Sequence, residues 1–173
     1  EMNSPDRWSW GMVPNDVLTA AAMVYLATGD LRYAELARQL ILAICRVKYW
    51  TNSLIYRYPE PAEAKSFAPF AEAIYAMDVA LALDWIADYL TEAEILEVQN
   101  ALHGKAVPHI AAYLDAQDSP AAFWRTSNQG MIFNGGLLLA AMVQSDSRSD
   151  KQQLFTRADQ NLQEVIPSQQ LAV

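Results

Sequence analysis

At 173 residues the chain is long enough for one domain with a real core and too short for two comfortable ones. A net charge of -8 argues against nucleic acid or an anionic membrane as the main partner, since an acidic protein binds a polyanion only through a locally basic groove. The single Cys45 rules out a disulfide framework within the chain and reads first as a small buried hydrophobe. The apolar runs Val17 to Ala27 and Met131 to Val143 are too short and too interrupted to span a bilayer.

Hydrophobic residues make up 53% of the chain, much of that Ala and Leu, which favours helices over sheets. Residues 1–12 are aromatic and irregular, with Pro5, Trp8, Trp10 and Gly11. Asn15 or Asp16 is placed to cap a helix that ends near Thr28-Gly29 and is apolar nearly all round, which implies burial on more than one side. Asp30 caps the next helix, Leu31 to Val47, where Arg32, Glu35, Arg38, Gln39 and Arg46 are interleaved with Ala34, Ala37, Ile41, Ile44 and Cys45. That pattern gives it one wet face.

Lys48 to Lys65 is a long connection holding Tyr49, Trp50, Tyr56, Arg57, Tyr58, Pro59 and Pro61. Connections this long in a compact helical domain are usually functional or disordered, and its aromatics argue against disorder. A second apolar helix runs from about Phe67 or Pro69 to Leu90, broken by Glu72, Asp78, Asp84 and Asp88. Thr91 with Glu94 makes a capping box, and Ile95, Val98 and Leu102 give the following helix a narrower apolar stripe that His103-Gly104 should end. A helix from about Val107 to Asp115 leads into the Gln117 to Ser127 connection. The third apolar helix spans roughly Gly130 to Gln144. After the polar turn Ser145 to Asp150, Phe155, Ala158, Leu162, Val165 and Ile166 mark an amphipathic last helix that Pro167 should stop.

An apolar helix, a polar turn and an amphipathic helix thus occur three times, as stacked helix pairs would give. The chain is read as all-α and as one partial domain, 1–173, with apolar helices inside and amphipathic ones facing water.

The stretch Trp124-Arg125-Thr126-Ser127-Asn128-Gln129-Gly130 stands out within this pattern. It delivers an aromatic, a permanent cation and two side-chain amides to a helix start, where unpaired N–H groups and a partial positive charge suit a carboxylate.

Three segments carry a family resemblance. Thr28-Gly29-Asp30-Leu31-Arg32-Tyr33-Ala34 resembles the inner-to-outer turn of (α/α) toroid proteins. Asp84-Trp85-Ile86-Ala87-Asp88-Tyr89-Leu90-Thr91 is similar to a segment of alginate lyase and heparinase II/III-like domains. Ser127-Asn128-Gln129-Gly130, with Leu137 to Ala141 after it, resembles the Asn-Asn-His-Gly segment that opens an inner helix in alginate lyases. The resemblance covers roughly Val13 to Ile166 in the family's order. It implies an incomplete (α/α) toroid of about three inner/outer hairpins, with a C-terminal remainder beyond Val173.

The implied activity is a polysaccharide lyase that cleaves alginate or a related uronan by β-elimination, in a periplasmic or secreted setting. Such an enzyme removes the C5 proton of a uronate, α to the carboxylate, and expels the 4-O-linked sugar. Donors must stabilise the enolate-like charge as it forms. Asn128 matches the family's carboxylate-neutralising Asn. Gln129 stands where many alginate lyases have the catalytic His, and Gln donates a hydrogen bond but takes no proton. The base is then a Tyr or another residue, and the family's Tyr falls on a helix beyond Val173.

Trp124 and Arg125 are candidates for stacking on a sugar ring and clamping its carboxylate, and Trp50, Tyr56, Arg57 and Tyr58 for a lid over the chain. Each has a plainer alternative: Ser127 or Asn128 as a helix cap, Arg125 in a surface ion pair, the aromatics as packing. No cofactor is called for, and His103 and His109, six apart, make no metal pair. Two other functions fit the pattern: a glycoside hydrolase on an (α/α) barrel using Asp78 or Asp84, and a non-catalytic helical scaffold or carbohydrate-binding domain.

Overall fold

The computed structural model describes residues 12–50, 69–116 and 127–170. Every regular element among them is helical: α1 (Met12–Thr28), α2 (Leu31–Arg46), α3 (Phe70–Trp85), α4 (Glu92–Ala101), α5 (Val107–Ala116), α6 (Asn128–Met142) and α7 (Lys151–Gln170). The all-α expectation holds.

The first hairpin closes as its residue types dictate. Gly29 adopts φ 69, a left-handed conformation that a side chain would strain, and its N–H reaches the Tyr25 carbonyl at 2.7 Å. Asp30 then caps α2, its carboxylate accepting from the Arg32 N–H at 3.0 Å. One face of α2 buries Ala34, Ala37, Ile41, Ile44 and Cys45. The opposite face carries charge: Arg38 bonds Glu35 and Glu94, and Arg46 bonds Glu97 at 2.8 Å, so α2 and α4 are laced together along their outer surface. Lys105 donates to the carbonyls of Cys45 and Val47 and so closes the C-terminal end of α2.

The second hairpin turns through a short 3-10 segment, Ala87–Tyr89, into the Thr91–Glu94 capping box, where Thr91 and Glu94 satisfy each other's backbone N–H groups. The helix does not end at His103-Gly104. Leu102–Ala106 forms a π-helical turn that carries the chain on into α5 and keeps Leu102 and Ala106 fully buried. α1 begins a turn earlier than Asn15, with Pro14 in its first turn, where the missing N–H costs nothing.

Two features of α7 also differ from the sequence reading. The helix passes through Pro167 to Gln170, and Gln163, Glu164 and Ile166 before the proline are exposed, where a lost backbone bond costs least. Its buried stripe runs through Ala158 and Val165, with Leu154 packed on the core, whereas Phe155 and Ile166 lie on the wet side.

α1, α3 and α6 run parallel and side by side. Phe133 of α6 meets Phe70 of α3 at 5.0 Å, Gly136 backs onto Ala73, and Leu139 and Val143 share a groove with Ala80 and Leu83. Near the end of α1, Tyr25 donates to Asp88 just past α3 at 2.8 Å. The return helices lie against this row: α2 on α1, the α4-to-α5 segment on α3, and α7 on α6. Consequently the three short turns gather at the C-terminal end of the row, and both long connections lead to the N-terminal end.

Candidate functional site

The N-terminal end of the row holds the predicted Asn128 and Gln129. Ser127 takes the cap position of α6 in extended conformation (φ -115, ψ 159), yet its hydroxyl caps nothing. Its Oγ is buried and has no hydrogen-bond partner among the described residues. Asn128 is exposed and Gln129 half-buried, and neither side chain is bonded within the described residues. The first turn of α6 therefore presents unpaired N–H groups and two free amides together. That set can grip an anion.

The turn is tied from behind. Asn134, fully buried, donates to the Gly130 carbonyl at 2.9 Å, and Asn161 of α7 donates to Asn134 Oδ1 at 2.8 Å. Beneath it, Phe133 is wedged edge-on between Phe70 and Tyr113 at 5.0 and 5.1 Å. Sequence reading missed the Asn134–Asn161 link, which pairs residues 27 apart.

Of the other predicted site residues, Trp50 lies in the core and not in a lid. It is 2% exposed, its indole N–H donates to the Ile44 carbonyl at 2.9 Å, and its ring stacks on Tyr75 at 5.5 Å. No open face remains for a sugar, so Trp50 is withdrawn as a substrate contact. Trp124, Arg125, Tyr56, Arg57 and Tyr58 fall outside the described residues.

Acidic groups take three different places. Glu72, near the start of α3, is fully buried, and both carboxylate oxygens lack a hydrogen-bond partner. Burial pushes it up to about 8, so it is a neutral acid at pH 7. Its signal was legible, as a lone Glu in an apolar helix. Asp78 is half-buried and pushed up to about 6, first by burial and then by the charge of Asp16 on α1. Asp84 is exposed at the opposite, short-turn end.

No Lys or Arg occurs in α1, α3 or α6. Any cation serving the α6 N-terminus must therefore come from outside these three helices. Among the described residues no group of three or more His, Cys, Asp or Glu could hold a metal ion. No described helix is long and apolar enough to cross a membrane. Comparison with family models, curated proteins and solved structures finds no match to this chain.

Proposed function

We propose that the three hairpins are units of an (α/α) toroid and that the protein is a polysaccharide lyase acting on a uronic-acid polymer, alginate or a related uronan. One observation supports the reading most: the first turn of α6 offers Asn128, Gln129 and unpaired N–H groups with no partner among the described residues. A uronate carboxylate seated there would have its charge neutralised by Asn128 and by the helix terminus, which lowers the cost of removing the C5 proton. Gln129 donates to the same carboxylate and moves no proton. The base and the acid that protonates the leaving oxygen lie elsewhere, in keeping with the Tyr of the resembled family. The setting proposed is periplasmic or secreted, with no cofactor.

The test is product chemistry of the whole protein on a panel of uronate polymers. β-Elimination leaves a C4–C5 double bond that absorbs in the ultraviolet. New reducing ends without that absorbance would defeat the lyase reading. Asn128→Ala is expected to abolish most turnover while leaving the melting curve unchanged, because the side chain is exposed and unbonded. Undiminished turnover in that variant removes Asn128 from the site.

A second reading, a glycoside hydrolase, draws support from Asp78. A carboxyl pushed up to about 6 suits a general acid, and Asp16 stands close enough to act on it electrostatically. Asp84 fits that pair less well, since six residues along a helix place it roughly 120° round the axis from Asp78. Asp78→Asn separates the two readings: loss of turnover with reducing ends only favours the hydrolase.

A further inference from the structure

The short-turn end of the row carries a feature unconnected with the proposed lyase chemistry. Two cavities open there, of about 340 Å³ between α3, α4 and α6 and about 430 Å³ between α1 and α3. Both are lined by Asp84 and Ala87, so these two residues form the ridge between neighbouring hollows. The first hollow is walled largely by aliphatic groups, including Leu81, Leu139 and Met142, and the second includes Leu26 and Trp85. Leu26 and Met142 are more than half exposed, an unusual fate for large apolar side chains beside a carboxylate.

This end is acidic on balance: Arg148 and Lys151 of the third turn are paired with Asp150 and Asp146, while Asp84 has no paired cation among the described residues. Among the described residues no Lys or Arg lines either hollow, whereas Asp84 lines both and Asp88 lines the second. α1, α3 and α6 all finish here and add the partial negative ends of their dipoles, with Lys151 donating to the Gln144 carbonyl just past α6. The nearby Arg32 does not offset it, since its guanidinium is closed on Asp30 at 2.6 Å. A second copy of this end would set acid against acid. The complementary occupant is cationic at the ridge and apolar on either side of it.

We propose that this end docks a basic amphipathic helix of another protein, with an Arg or Lys at Asp84 and large apolar side chains in the two hollows. One helix face supplies that order, apolar at i, cation at i+3 or i+4 and apolar at i+7.

The experiment titrates the whole chain, isotope-labelled, with a synthetic helix carrying Leu, Arg and Leu at those positions. The amides of Leu81, Asp84, Ala87 and Met142 are expected to shift. Replacing the central Arg of the peptide by Glu should abolish binding, and Asp84→Asn should weaken it about fivefold. Added salt should weaken it too. Asp84 is exposed and makes no hydrogen bond, so the variant should keep the parent's melting curve. Should it unfold instead, the Glu peptide and the salt series on the parent protein decide alone. Equal binding of the Arg and Glu peptides overturns the proposal. So do shifts confined to the α6 N-terminus, self-association through this end without peptide, or no binding at all.

Discussion

Glu72 Oε1 lies 3.8 Å from Nδ1 of His109 across the α3–α5 contact, too far for a hydrogen bond, and neither group is held in its charged form. Burial raises the Glu72 carboxyl to about 8 and lowers the His109 imidazole. The two meet as neutral groups and not as an ion pair. A buried pair of ions would need excellent geometry and further hydrogen bonds to offset desolvation, and the Glu72 carboxylate has none.

A pH dependence follows from that meeting. In the unfolded chain Glu72 ionises near 4.5, while in the fold it keeps its proton to about 8. Its contribution to stability is fully present below the lower value and is lost as pH rises through the upper one. His109 acts in the opposite sense, its contribution being lost as pH falls below the ordinary 6.5. Glu72→Gln removes the first slope alone. Urea unfolding across this range should show the variant gaining on the parent as pH rises, by on the order of a few kcal/mol at the alkaline end. Parallel curves for the two proteins would mean that Glu72 is ionised in the fold.

The α3–α6 contact depends on one missing methyl. A Cβ on Gly136 would stand 2.8 Å from the Ala73 carbonyl oxygen and 3.0 Å from its Cα, both backbone atoms that cannot swing aside. Gly136→Ala should therefore push the helices apart and destabilise by roughly 1–3 kcal/mol. Its neighbour reads differently, since a Cβ on Gly135 meets only Met77 Sδ, at an ordinary 3.5 Å. Gly135→Ala should gain helix propensity, about 0.5–1 kcal/mol. Thermal melts of the two alanine variants should move in opposite directions.

Asn134 ties α7 to the first turn of α6. Asn134→Ala strands the Asn161 amide and leaves the Gly130 carbonyl with one fewer donor, at an expected cost of about 1–3 kcal/mol. Hydrogen exchange should speed most at Asn128 to Met131, the turn it supports. A variant whose exchange rises evenly along α6 would show that the link serves packing and not the site.

Much of the hairpin framework was legible because its signals are local. Gly29-Asp30 and Thr91–Glu94 fix turn and cap chemistry within a few residues, and both formed as the residue types require. Pro167 and Gly104 misled for the same reason: each is a local breaker. Burial of Leu102 and Ala106 carried the chain through the second, and an exposed setting made the first cheap. The candidate site was legible only where it is contiguous. Asn128 and Gln129 came with their helix start, but the Asn161 that steadies that turn through Asn134 is distant in sequence. Trp50 was misjudged because an aromatic in a connection looks alike whether it faces a ligand or the core.

The sequence by itself determined the all-α class, the apolar-then-amphipathic order of the helices and the caps at Asp30 and Thr91, since propensity, periodicity and caps act over a few residues. Only the tertiary structure decided that α1, α3 and α6 run parallel, and hence that their termini gather at opposite ends. One end thereby collects unpaired N–H groups around Asn128, and the other collects carbonyls around Asp84. The physical reason is that helix polarity becomes a property of a surface only once packing sets neighbouring helices in the same direction.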